Sequence, residues 1–196
     1  MAVAITLFAV RAASSAPNDV PAPRPAPSWV EPTVATGVVV IGMRVSESIL
    51  WPDAFDPLPV ERNAATFVDS LSTTPEFDAS ERPFEWDRDP WQLNAIGHGV
   101  MGSELYLRYR RARHPWWTAA FMAAAWTVVW EYGVEGWHKR PSGIDLAWTP
   151  TAGSLLGEAR WWMLSRLRGL PRSAGRTLAL FLFDPVGELE DRVLGL

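Results

Sequence analysis

No cysteine occurs in the chain, which excludes disulfides, thiolate zinc sites and a thiol nucleophile. Histidine is scarce, at 3 residues, and no His-Glu-x-x-His spacing is present. Charged residues make up 20%, below the usual level of about 25%. Long apolar runs are missing too: the longest uncharged stretch, Pro115 to Trp130, has 16 residues, short of the roughly 20 that span a bilayer. It suits a buried or interfacial helix better than a spanning one. There is no Gly-x-Ser-x-Gly elbow, Walker loop or dinucleotide fingerprint. The net charge of −4 and the lack of a nucleic-acid motif argue against nucleic acid as a partner.

What the chain does have is 12 Trp and 17 Pro. Indole joins a large apolar body to one N–H donor, and it collects in cores, at interfaces and at membrane boundaries. Charge divides unevenly, with a net −7 over residues 1–90 and +3 over residues 91–196. A basic, Trp-rich half is suited to a membrane surface or lipid headgroups, and its Trp-rich face equally to a protein partner.

The sequence divides into three stretches. Residues 1–16 resemble the end of a signal peptide, an apolar run from Ala2 to Val10 followed by Ser14 and Ala16 at cleavage positions. Export is therefore expected, to the periplasm or outer membrane of a Gram-negative cell. Residues 17–83 begin with the proline-rich linker Pro17 to Ser28. A helix is expected over Val30 to Leu50, with a strand as the alternative, then an acidic, extended stretch with a short helix or two around Glu61 to Leu71. Residues 84–196 form the expected helical domain, a compact all-α bundle of three to five short helices behind an irregular N-terminal region.

Within that domain one helix is expected from Pro90 to about Arg113 and a second from Trp116 to about Trp137. Ser142 is placed to cap a third, with Asp145 three residues on. Pro150 should bend or break this helix near Ala147 to Thr149. Beyond the proline, Gly153 and Gly157 share one helix face, and a last apolar helix should stop near Pro185.

The chemistry concentrates on four residues. Glu131 and Glu135 are one turn apart, so their like charges need a partner. His98 can face them from the preceding helix, and Asp145 can join from the start of the next. Together they could serve as general acids and bases or as ligands of a divalent metal ion. They could equally satisfy one another and fix helix register. The structural reading is preferred, and no cofactor is required. Trp126, Trp130 and Trp148 are expected to line the cluster, while His114 and His138, beside basic residues, read as exposed helix-end groups.

The order "WDRDPWQLNAIGHGVMGSELYLRYR", "WEYGVEGWHKRPSGIDLAWTPTAGSLLGE", "DPVGELEDR" resembles the bacterial domain-of-unknown-function family 3943, over about Phe84 to Arg192. The resemblance makes Asp87, Asp89, Asn94, His98, Tyr106, Glu131, Glu135, Ser142, Asp145 and Glu158 motif positions. Asn94, Tyr106, Ser142, Glu158 and Trp130 then stand as binding candidates. It implies an envelope protein without an assigned activity. A looser likeness in arrangement is to VanZ-like helical proteins. The expected function is therefore a membrane-associated helical domain with a structural polar cluster. The alternative is a lipid-directed or small-molecule hydrolase or transferase using His98, Glu131, Glu135 and Asp145.

Overall fold

Helix α1, Val30–Leu50, buries Pro32, Thr36, Val40 and Glu47, a spacing that keeps one face of the helix inward. In the computed structural model, which describes residues 26–52, 56 and 58–194, this face packs on the long central helix α3, His98–Arg111. Between them in the chain lies α2, Val60–Ser70, close to the helix expected near Glu61 to Leu71. The signal-like residues 1–16 and most of the proline-rich linker lie outside the described residues.

The chain is all-helical, and no β-strand forms among the described residues. Helix α4, Trp116–Val128, follows Pro115, which ends the preceding turn and supplies an extended residue before the helix. Helix α5 runs over Gly143–Arg168, α6 over Ala174–Phe183 and α7 over Pro185–Leu194. Seven α-helices among the described residues replace the expected three to five, and α5 with 26 residues is not short. Two of the seven come from the segment before residue 84. The seventh starts where a stop was expected. Proline lacks the N–H that a first helical position leaves unused, so Pro185 opens α7 behind Asp184.

The break expected at Pro150 does not occur, because α5 continues through it. Proline removes one backbone bond and loosens the preceding turn. The Thr151 hydroxyl donates to the Ala147 carbonyl at 2.7 Å, and close packing on α3 holds the helix on both sides of the defect.

Almost every residue of α3 from His98 to Tyr109 is buried, so this helix is the axis of the fold. Met101, Leu105, Tyr106 and Tyr109 form its main core with Val40 of α1, Ala119 and Ala123 of α4, and Trp130. On the opposite side α3 meets α5 backbone to backbone at Gly102 and Gly153. A smaller core of Leu107, Leu164 and Leu180 seats α6. The irregular segment before α3 is tied to the start of α5, with the Glu76 N–H donating to Pro141 O (2.7 Å) and Gly143 N–H donating to Glu76 O (2.8 Å).

Candidate functional site

Two π-helical turns set the site. The chain enters α3 through a π-helical turn, Gln92–Gly97, and leaves α4 through another, Val129–Val134, followed by a 3₁₀ turn, Glu135–Trp137. Such turns are uncommon and recur at functional positions, because the extra residue per turn redirects side chains. Glu131 lies within the second π-turn, and Glu135 opens the 3₁₀ turn that follows it. Ser142 then caps α5 as expected, its hydroxyl accepting from the Asp145 N–H at 3.2 Å. Removing that cap by Ser142→Ala should cost about 1 kcal/mol in a chemical denaturation experiment. An unchanged midpoint would contradict the cap.

His98, Glu131 and Asp145 come together from three different elements, each with one donor atom within 4.8 Å of the others'. His98 Nε2 lies 3.5 Å from Asp145 Oδ2, and its Nδ1 lies 3.0 Å from the Thr149 hydroxyl. Glu131 accepts through Oε2 from the Ser142 backbone N–H at 2.7 Å. All three side chains are buried. Among the described residues, the Glu131 Oε1 and both Asp145 carboxyl oxygens are buried without a hydrogen-bond partner of good geometry, although the Ser142 hydroxyl lies near both Asp87 and Asp145.

Glu135 takes a separate place beside this group, not within it. Its Oε2 lies 3.0 Å from Lys139 Nζ, and Lys139 also binds Asp89. Lys139 is the only lysine of the chain and is held well above its ordinary pKa: burial opposes its charge, but Glu135, Asp89 and Glu131 outweigh it. Asp87 accepts from Asn94 Nδ2 at 2.6 Å, and the same amide donates to Phe84 O at 2.8 Å.

Burial dominates the titration of the central group. It pushes the Asp145 carboxyl up to about 8, with Asp87 and Glu135 adding to the shift and Lys139 opposing it. Glu131 is raised well above the ordinary carboxylate range by burial, then by Glu135 and Asp145. Burial lowers His98 to about 4 against the pull of Glu135, so its imidazole is neutral at pH 7.

Other expected site residues fall elsewhere. Tyr106, two turns further along α3, donates to Glu158 Oε2 at 2.5 Å, while Arg110 grips both Glu158 oxygens at 2.9 and 3.0 Å. This is a second junction between α3 and α5. Trp130 is buried in the main core, and Trp148 donates to Ala95 O at 3.0 Å. Trp126 does not line the cluster as expected; its indole N–H donates to the Tyr109 hydroxyl at 3.0 Å, near α1.

His114 is buried, not exposed: its Nε2 meets Ser28 O at 2.8 Å and its ring lies 4.1 Å from that of Trp29. His138 is half-buried and accepts from Arg44. In both cases the covering residues come from the segment around α1, remote in sequence. Lys139 and Thr149 are the members that sequence reasoning missed. Both had a signal, since each lies four residues beyond a site carboxylate, Glu135 and Asp145.

A family model described as Domain of unknown function (DUF3943) matches residues 83–186, the stretch that carries every residue of the site. Comparisons with curated proteins and with solved structures give no match.

Proposed function

We propose that this chain, which belongs to the DUF3943 family, is a helical domain of the bacterial cell envelope that lies against a membrane surface, with its buried His98/Glu131/Asp145 junction serving to lock the helices. One observation carries the reading. On the outer side of α1, Val30, Val34, Val38, Ile41, Val45 and Ile49 recur at helical spacing, each between 53% and 74% exposed. The outward face of a helix at a water boundary is normally polar, and a contiguous apolar stripe marks an interaction surface.

Further apolar groups support a lipid-facing surface: Trp116, Trp117 and Phe121 on α4, and Leu155 and Trp162 on α5, are all exposed. Inserting a Val or Ile side chain into an apolar phase contributes about 1.5–3 kcal/mol, so a few such residues suffice for stable association. α1 is also long and apolar enough to cross a membrane by length and composition, yet its other face is committed to α3, which favours a helix lying along the surface. Export to the periplasm or outer membrane belongs to the same proposal.

A hydrolase or transferase reading of His98 with Glu131, Glu135 and Asp145 has less support. The four side chains are buried, and reaching them would require parting helices joined at their backbones.

The test is flotation of the full chain with liposomes of phosphatidylethanolamine and phosphatidylglycerol. The wild-type protein should float with the vesicles, and a Val38→Ser/Ile41→Ser variant should lose at least about tenfold in binding while keeping its helical circular dichroism. A wild-type chain that stays a freely soluble monomer in the presence of vesicles would overturn the membrane reading.

A further inference from the structure

The central group of the site has more buried carboxylate than the cations that contact it among the described residues can balance. Lys139 is engaged by Glu135 and Asp89. Among the described residues, that leaves Glu131 and Asp145 without a basic partner in hydrogen-bond contact, apart from the His98 imidazole at 3.5 Å. Buried charges are normally paired, protonated or bound to a metal ion.

The orphan atoms belong to two of three groups that come together. Glu131 Oε2 is fixed by the Ser142 N–H, which leaves Oε1 as the oxygen without a partner. Both Asp145 oxygens also lack a partner of good geometry among the described residues, with the Ser142 hydroxyl nearby, and one donor atom each of His98, Glu131 and Asp145 lies within 4.8 Å of the others. The 3.5 Å between His98 Nε2 and Asp145 Oδ2 is long for a charge-assisted hydrogen bond. It is close to the edge of a tetrahedron whose ligands sit about 2.1 Å from a central ion, an edge of about 3.4 Å.

The surroundings match as well. A ligating histidine characteristically has its other ring nitrogen held by a polar neighbour, and His98 Nδ1 meets the Thr149 hydroxyl at 3.0 Å. The three donors come from the start of α3, the π-turn after α4 and the first turn of α5, so one ion would join three separate elements.

We propose that His98 Nε2, Glu131 Oε1 and an Asp145 carboxyl oxygen bind one divalent first-row transition-metal ion, which clamps α3, the π-turn and α5 together. The mixed nitrogen and oxygen donors with no thiolate favour zinc or manganese over copper(I), and the imidazole argues against calcium. A doubly charged ion neutralises the two carboxylates. Full burial of all three ligands makes the ion structural, because a catalytic ion keeps a position open to substrate. This site is independent of the membrane reading above, and either can fail without the other.

The experiment uses the full chain. Metal content is measured by mass spectrometry on the purified protein and after chelator dialysis, and zinc, manganese and calcium chlorides are then titrated back by calorimetry with parallel thermal melts. One zinc or manganese ion per chain is expected, with a rise in Tm that the chelator reverses. Glu131→Gln and Asp145→Asn, which keep side-chain shape, should weaken binding by about 100-fold or more, and Thr149→Val by about 10- to 100-fold. Glu158→Gln, at the other junction, should leave binding unchanged. Should the amide variants fail to fold, the wild-type titration alone decides. Absence of stoichiometric zinc or manganese binding, a Tm indifferent to them, binding of calcium alone, or equal affinity in the amide variants would each overturn the proposal.

Discussion

Gly102→Val and Gly153→Val chains are expected not to fold, and Gly102→Ala alone to lose about 4 kcal/mol or more, a large part of a typical stability of about 5–15 kcal/mol. A Cβ on Gly102 would lie 2.0 Å from the Thr149 carbonyl oxygen, and one on Gly153 would lie 2.5 Å from the Gly102 backbone. Overpacking against side chains costs about 1–3 kcal/mol because rotamers adjust. Here the obstacle on each side is backbone, so relief requires α3 and α5 to separate. That separation would open the polar site at the start of both helices. Away from such a contact the sign reverses. Gly42, in α1, has nothing within 4 Å of its added Cβ, so Gly42→Ala should stabilise by about 0.5–1 kcal/mol. Denaturant midpoints of the alanine variants, with the valine chains assayed for folding, check the contrast. A Gly102→Ala chain as stable as wild type would rule out the backbone contact.

Asp184→Asn is expected to destabilise by about 3–5 kcal/mol at pH 7, the usual effect of breaking a buried ion pair. Asp184 is fully buried and binds both Arg108 and Arg111, the latter at 2.8 Å. Arg108 is itself buried, with Glu104 at 3.2 Å and Glu190 at 2.8 Å, and Arg111 also reaches Asp191. The Asp184 carboxylate further caps α7, accepting from the Gly187 N–H at 3.0 Å. Burial raises its pKa, but Arg108 and Arg111 outweigh that and hold it below the ordinary carboxylate range.

The pH dependence is set by that direction. A carboxyl whose folded pKa lies below its unfolded value contributes stability that is present above the unfolded pKa, about 3.9, and is lost as pH falls through the folded one. Wild-type stability should therefore carry an acid limb below about pH 4 that the Asp184→Asn variant flattens. Denaturation midpoints measured from pH 2.5 to 7 test this. Equal midpoints at pH 7 and parallel acid limbs would refute the role given to Asp184.

Much of the architecture could be read from residues close in sequence. The apolar spacing of Val30 to Leu50, the cap of Ser142 on the Asp145 N–H, and the stops at His114 and Pro115 each reflect interactions within a few positions. Pro185 was legible in principle, since Asp-Pro is a helix opening as well as a helix end. Pro150 was not, because the missing N–H argues for a break and packing on α3 is needed to oppose it.

The candidate site divides in the same way. Residue types and order were enough to single out His98, Glu131, Glu135 and Asp145 as a set needing mutual compensation, and to place them in a family. Their split into a His98/Glu131/Asp145 group and a Glu135/Lys139/Asp89 group was not legible. Glu131 lies in a π-turn and Glu135 opens the 3₁₀ turn that follows, and residue types and order do not signal either departure from a regular helix. Sequence by itself determined most of the helices, the Ser142 cap and most of the residues that carry chemistry, since those depend on neighbours along the chain. Tertiary structure alone decided which carboxylate faces which partner, that His114 is buried, and that the outer face of α1 is left apolar, because each of these depends on groups far apart in sequence.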